Sequence, residues 1–490
     1  MITKNEKRIL VIENDKGWFE YFKRIIAEHF GEKRDIQIFG LKDIKDSATD
    51  KNFFDNVSYC LVDLELGPAY DKGCNDTDGL DIVLPKIREI APWIPTACIS
   101  ILLRGNTSIL IERLSVSDFD GLYPKQFIIH PENKKIHPDF NIDAWNGFLR
   151  NLSIKRVAAM TGRSTVEIND LLKKADEIDL TMSDKIKNLV NGIEDELFKE
   201  GIALLGLDGS VLSIDEMEGG FSDINVSIVK VYGVDNKNMK THSRWIMKWG
   251  RDISKIANEI EAHKLMLRKG INRSLQVPLL HHNVVVWKGI GYIAYVFEDN
   301  AKTALELIND KGLKQLTKHI KKVANSLYSN MNIYTFSPRE ELKKWTGFDE
   351  SRIDIIASDL LSKTFELSAA LIHGDLHLRN ILIKDNMPTL IDFARSDYGP
   401  IAVDIAKLTV DILVFYDKSE LDKISFLDWE ALIKTSLSGI LKVYESYLKE
   451  KDDRKFFDLA LKAYALKYTT YDDVSKERKA ILEKLVRNQR

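Results

Sequence analysis

The chain has 490 residues, of which 44% are hydrophobic and 30% charged, with a formal net charge of −3. That is material for more than one globular core, without the basic bias that nucleic-acid binding asks for. The three cysteines (Cys60, Cys74, Cys98) form no CxxC pair, the N-terminal tetrad ILVI is too short for a signal peptide, and no apolar run could span a bilayer; these exclude a disulfide scaffold and predict a cytoplasmic protein with no membrane and no nucleic-acid partner.

In residues 1–150, "RILVIE", "YCLVDL", "TACISIL" and "DGLYP" predict buried parallel strands, with "GWFEYFKRIIAEHF" and "LDIVLPKIREI" as helices between them. The rhythm is that of a doubly wound α/β domain. Residues 151–200 differ in texture. Ile168, Leu171, Leu172, Ala175 and Ile178 share one helical stripe, and Ile186, Leu189, Val190, Ile193 and Leu197 share another after a break near Thr181–Ser183. A helical connector is predicted, its stripe serving another domain, a second copy of the chain in a homodimer, or simply the surface of the next domain. Residues 201–490 open with strand-like "INVSIVKVYGV" and "SRWIMKWG" and end almost wholly helical.

Phosphoryl transfer needs few protein parts: a carboxylate for the acceptor hydroxyl, hard oxygen ligands for Mg2+, a cation on the phosphates and a flexible cover. "LIHGDLHLRNILI" followed by "LIDF" offers the first two. Asp375 follows an apolar run that would lift its carboxylate from a rigid strand. "NILIKDNMPTLID" reads as a hairpin turning at Lys384–Pro388, which would carry Asn380 and Asp392 to one end.

HGDLHLRN at 373–380 with LIDF at 390–393 resembles the signature of the aminoglycoside phosphotransferase and choline-kinase-like family, a branch of the protein-kinase-like fold. The resemblance implies an ATP- and Mg2+-dependent enzyme with Asp375 as catalytic base and Asn380 and Asp392 as metal ligands. It implies structural roles for His373 in the loop and for Asp404 in "PIAVDIAKL". It also implies a bilobal domain with an N-lobe over about 201–300 and a helical C-lobe over about 301–490. In the N-lobe, Gly219 and Gly220 stand at the glycine cover and Lys248 at the phosphate-binding lysine. Glu259 is its partner, in preference to Glu261, which points to another helix face. Backbone around Phe297–Glu298 would meet adenine. Where protein kinases have Asp-Phe-Gly this chain has "DFAR", so Arg395 adds a cation near the metal site.

The first 150 residues resemble the receiver domain of two-component response regulators, a flavodoxin-like doubly wound fold. That resemblance implies Asp63 as phosphoacceptor, Glu13 and Asn14 at the metal position, Ser100 as switch hydroxyl and Lys125 as the phosphoryl-contacting lysine. It departs from the pattern at Asn14, where the family has an acid, at Gln126, where it has proline, and in the long loop "GPAYDKGCNDTDG". The combined fold class is α/β plus α+β: receiver, helical connector, bilobal kinase-like domain.

The leading expectation is a two-component-type signalling protein whose receiver, phosphorylated by a sensor histidine kinase, regulates a kinase-like phosphotransferase. Its hydroxyl acceptor, small molecule or protein, is not readable from the variable C-terminal helices. The alternative is a pseudo-receiver and pseudokinase scaffold that binds nucleotide and recruits partners without catalysis.

Overall fold

The computed structural model describes residues 8–13, 18, 20, 57–63, 83–100, 118–124, 142–182, 195–207, 211–216, 224–235, 238–268, 275, 283–297, 300–356, 359–416, 421 and 424–487. They fall into two compact units, Met1–Ala257 with Leu279–Phe297, and Asn258–Pro278 with Glu298–Arg490.

The first unit begins with four strands, β1 (Arg8–Ile12), β2 (Val57–Val62), β3 (Thr96–Ser100) and β4 (Gly121–Pro124), hydrogen-bonded in that order and all parallel. β2 and β3 are buried at every position, as expected of strands covered on both faces. Helix α1 (Leu84–Ile90) supplies the "LPKIREI" crossover. Helix α2 (Ile142–Thr161) runs unbroken through position 150, where the sequence pattern places a domain boundary. Its first half, with Trp145, Leu149 and Leu152, packs in the core of the parallel sheet. Its second half, with Ile154, Val157 and Ala158, packs in the next core along the chain.

That next core lies under a six-stranded sheet of β5 (Asp179–Met182), β6 (Val211–Glu216), β7 (Asn225–Asp235), β8 (Asn238–Gly250), β9 (Val285–Trp287) and β10 (Ile290–Val296), ordered β5-β6-β7-β8-β10-β9. Helices α3 (Thr165–Ala175) and α4 (Asp195–Leu204) cover it. Ser164 and Glu167 form a capping box that starts α3. The stretch read as a helical connector is therefore partly strand: its break at Thr181 is β5, which pairs parallel with β6. The stripe of Ile168, Leu172, Ala175 and Ile178 is buried in this unit's own core.

Helix α5 (Ile253–Arg268) leads into the second unit. There follow β11 (Lys302–Thr303), α6 (Ala304–Lys311), α7 (Leu313–Leu327), β12 (Asn332–Phe336), α8 (Pro338–Thr346), β13 (Phe365–Ile372), β14 (Ile381–Lys384), β15 (Met387–Leu390), β16 (Asp397–Pro400), and helices α9 (Ile401–Phe415), α10 (Ser438–Glu445), α11 (Lys451–Tyr468) and α12 (Lys476–Arg487). Two small sheets, β11-β14-β15 and β12-β13-β16, sit among the helices. Helix α9 is buried from Ile401 to Val414, the pattern of a central helix apolar on all sides. Three charged residues interrupt it: Asp404, Lys407 and Asp411. No helix among the described residues is long and apolar enough to cross a membrane.

Candidate active site

Strand β13 delivers the chain into His373-Gly374-Asp375. Gly374 has φ +73°, and a Cβ there would lie 2.3 Å from the Arg395 carbonyl oxygen and 2.5 Å from the Trp345 ring, so the bend admits glycine alone. Asp404 holds the bend from α9. Its Oδ2 accepts from the His373 N–H at 2.8 Å and from the Tyr328 hydroxyl at 3.0 Å, and its Oδ1 accepts from the Gly374 N–H at 2.8 Å. Burial pushes the Asp404 carboxyl up to about 6, against the pull of these donors.

Asp411, two turns further along α9, does the same for the second half of the loop. It accepts from the Leu378 N–H at 2.8 Å and from the Tyr468 hydroxyl at 2.7 Å. His373 closes the other side: its Nδ1 accepts from the Asp375 N–H at 3.3 Å, which leaves Nε2–H to donate to the Ile391 carbonyl at 2.9 Å. Burial lowers this imidazole to about 4, with the Ile391 hydrogen bond and Asp392 pulling upward, so it is neutral at physiological pH.

β14 and β15 form the expected hairpin. Lys384 pairs with Met387 across Asp385–Asn386, both at positive φ, as a two-residue primed turn requires. Past the ladder the Ile391 N–H donates to the Asn380 carbonyl at 3.1 Å, bringing Asn380 and Asp392 to the same end. Asn380 commits its amide nitrogen to the Asp375 carbonyl at 3.0 Å, so the amide oxygen is the end left for a cation. Asp392 has φ +64°, a strained backbone for a non-glycine residue and of a kind that clusters at functional sites. Among the described residues no group of three or more His, Cys, Asp or Glu could hold a metal ion. An amide and a carboxylate nonetheless suit Mg2+, which takes one or two protein oxygens and completes its shell with water and phosphate.

Asp375 itself is 22% exposed, with Oδ2 3.9 Å from His377 Nε2 and Oδ1 in contact with the ammonium of Lys407. Burial and the like charge of Lys467 draw Lys407 down to about 7, and Asp411 offsets part of this. Arg395 does not face this group: its guanidinium donates to the Trp345 carbonyl at 2.8 Å, while Lys467 donates to the Thr346 carbonyl at 2.8 Å. Both cations thus serve the carbonyl end of α8. Phe393 of LIDF lies between two histidines, with ring centroids 5.3 Å from His373 and 5.5 Å from His263.

Of the residues expected to bind nucleotide, Lys248 stands on β8 in the first unit, its Nζ 5.9 Å from the Tyr295 ring centroid. Glu259 stands fully buried on α5 in the second unit. Phe297 ends the first unit, its N–H donating to the Arg244 carbonyl at 3.2 Å. Gly219, Gly220 and Glu298 lie outside the described residues, as do Asn14 and Lys125. In the parallel sheet, Glu13 follows β1, Asp63 follows β2 and Ser100 ends β3, all buried at the carboxyl edge. The Asp63 N–H donates to the Ile12 carbonyl at 3.0 Å, placing Glu13 and Asp63 side by side.

Neither Lys407 nor Asp411 follows from the loop motif. Their signal was present in α9, where three charges at positions i, i+3 and i+7 share one face of an otherwise apolar helix.

The model of Ternary complex associated domain 9 matches residues 337–466. Methylthioribose kinase 1 of Oryza sativa subsp. japonica is 23% identical over 162 residues, 32% of this chain and 37% of that protein. Methylthioribose kinase 2 of the same plant is 22% identical over 162 residues, 38% of its length. The chain thus spans little more than a third of the length of the curated relatives it matches. Among solved structures, an amicoumacin kinase in complex with AMP-PNP and Ca2+ is similar at 15% identity and TM-score 0.37, over 56% of this chain and 86% of that one. A choline/ethanolamine kinase family protein from Mesorhizobium loti is similar at 13% identity and TM-score 0.37, over 60% and 95%. The described residues form a mixed α/β fold with a largely helical second unit, and the curated relatives that match about a third of this chain are kinases.

Proposed function

We propose that this chain is an ATP- and Mg2+-dependent phosphotransferase acting on a hydroxyl acceptor, regulated through its N-terminal receiver-like region. The observation that carries the catalytic half is the hold of Asp404 on the His373 and Gly374 N–H groups, which presents Asp375 at a rigid bend beside Asn380 and Asp392. In this reading Asp375 orients the acceptor hydroxyl and takes its proton. Asn380 and Asp392 hold Mg2+, which when bound with ATP neutralises charge on the transferring phosphoryl group. Lys248 on β8 is the cation this reading offers to the phosphates. The curated relatives are named for methylthioribose, so a small sugar-like alcohol is the first acceptor class to screen. The test is ATP turnover by the full chain beside Asp375→Ala and Asp392→Ala. Loss in both variants supports the assignment, and undiminished turnover in both overturns it.

The regulatory half is supported by the parallel sheet with Glu13, Asp63 and Ser100 at its carboxyl edge, the position of ligand sites in doubly wound folds. Asp63 is the phosphoacceptor and a sensor histidine kinase its donor. Helix α2 supplies the mechanical link, because one rigid helix belongs to both cores of the first unit. Arg156 of α2 is locked to Asp120 at 2.7 Å and to Asp118 at 3.0 Å, and Arg88 of α1 reaches the same Asp120 at 3.0 Å. The hairpin turn between β9 and β10 abuts β2 directly: a Cβ on Gly289 would lie 2.8 Å from Ser58 Oγ. One observation favours the scaffold alternative, the Lys407 ammonium on the carboxylate that would take the proton. Mg2+·ATP that binds and is never consumed selects that alternative.

A further inference from the structure

Lys407 is 4% exposed on a helix whose neighbouring positions are apolar. Taking an ammonium out of water costs several kcal/mol, and a hydrophobic residue at such a site is commonly neutral or stabilising. The lysine is also placed asymmetrically. Its Nζ touches Asp375 Oδ1, whereas Oδ2 points toward His377 Nε2 at 3.9 Å. The groups that face the pair come from every side. Asp411 lies on α9 itself, and α11 contributes Lys467 and Tyr464, whose ring centroid is 5.7 Å from the ammonium. The loop contributes His377 and the His373 ring, whose Nδ1 accepts from the Asp375 N–H. The same helix holds the loop backbone through Asp404 and Asp411, so α9 sets both where the loop runs and how its carboxylate is turned.

We propose that Lys407 is a positioning residue for phosphoryl transfer: it anchors Asp375 Oδ1 so that Oδ2 alone is presented to the acceptor hydroxyl. This rests on the reading of Asp375 as the base. In the step, the acceptor O–H proton passes to Asp375 Oδ2. The acceptor oxygen's electron pair forms the new bond to the terminal phosphorus of a nucleoside triphosphate, and the P–O bond to the β-phosphate breaks with its pair left on the diphosphate. Without the anchor the carboxylate is free to rotate and to swing onto the cation that Asn380 and Asp392 would hold. The anchor also answers the scaffold reading: it occupies the oxygen that the proton does not need.

The experiment uses the full chain with Mg2+·ATP and water as the acceptor, comparing wild type, Lys407→Met, Lys407→Arg and Asp375→Ala. Lys407→Met is expected to lower kcat about 100-fold while KM for Mg2+·ATP stays within about threefold, the split that marks lost positioning rather than lost binding. Lys407→Arg, which keeps the cation, is expected to recover about a tenth or more of the wild-type rate, and it carries the test if the methionine variant does not fold. A structure of Lys407→Met without nucleotide supplies a readout independent of turnover, with Asp375 expected to leave its wild-type rotamer. A methionine variant whose kcat matches wild type, or whose Asp375 carboxylate stays in place, overturns the proposal alone. For the arginine variant as the substitute, loss of activity as deep as in Asp375→Ala overturns it. Equal turnover, or none, in wild type and Asp375→Ala defeats the phosphotransfer reading and the proposal with it.

Discussion

Asp404 Oδ1 accepts a hydrogen bond from the Gly374 N–H at 2.8 Å, at a bend where the backbone has φ +73° and a side chain has no room. The buried carboxylate and the glycine therefore define one another: the glycine turns its N–H toward α9, and α9 holds the only geometry in which Asp375 leaves the strand as it does. Asp404→Ala would strand the His373 and Gly374 N–H groups and the Tyr328 hydroxyl without their acceptor. Its expected cost is about 3–5 kcal/mol, read from urea unfolding, together with loss of ATP turnover. A loss below about 1 kcal/mol would show that water replaces the carboxylate and that the bend is held elsewhere.

Gly374→Ala tests the same bend from the other partner. The new methyl meets the Arg395 carbonyl and the Trp345 ring at distances real side chains do not tolerate. With the left-handed backbone added, destabilisation of at least about 3 kcal/mol is expected. Trp345→Ala frees space on one side only, since the Arg395 carbonyl stays, so it should not rescue the variant. Full rescue in the double variant would mean that the Arg395 backbone moves aside readily.

Two buried groups at this bend, His373 in the loop and Asp404 on α9, respond to acid with opposite sign. His373 is held near 4 in the fold against an ordinary 6.5, so the unfolded chain binds more protons between those values. Stability from this group therefore falls as pH drops through that window, by up to about 3 kcal/mol. Asp404 is raised from 3.8 to about 6, so the folded chain holds the extra proton there and stability from this group rises as pH drops. The two largely offset. In Asp404→Asn the carboxyl contribution is gone and that of His373 remains, with His377 lowered by burial in the same sense, so its melting temperature should fall more steeply than that of wild type between pH 6.5 and 4.5. Parallel slopes would contradict the assignment of the histidine as buried and neutral.

In the first unit, Arg156→Met removes the strongest tie between α2 and the parallel sheet. Asp120 keeps Arg88 at 3.0 Å and the Thr96 N–H at 2.7 Å. A cost of about 2–4 kcal/mol is expected rather than collapse. If α2 transmits the state of the receiver-like region, this variant should also uncouple ATP turnover from phosphodonor treatment.

Asp63→Asn tests the receiver proposal directly. Acetyl phosphate with Mg2+ is expected to label the wild-type chain and not the variant, followed by mobility on a phosphate-affinity gel. Equal labelling of both would move the phosphoacceptor elsewhere.

The elements that were legible in the sequence are those governed by short-range rules. Alternation and apolar runs mark β2, β3, β7 and β8, because a strand covered on one or both faces has to show it in its own residues. The Asp385–Asn386 turn marks the hairpin, since few residues adopt positive φ. HGDLHLRN marks the loop, since a bend held through its backbone N–H groups and closed to a Cβ constrains several neighbouring positions at once. What the tertiary structure decided depends on contacts distant in sequence. Lys407 and Asp411 look like misplaced charges in an apolar helix until α9 is seen to carry them to a loop formed some thirty residues earlier. Thr181, which reads as a break between helices, is a strand only because β6 lies beside it. The two allegiances of α2 are carried on two faces, Trp145, Leu149 and Leu152 on one and Ile154, Val157 and Ala158 on roughly the opposite one, and its sequence does not say which core each face meets. Helical periodicity records that a face is buried, and only the packed chain determines against what.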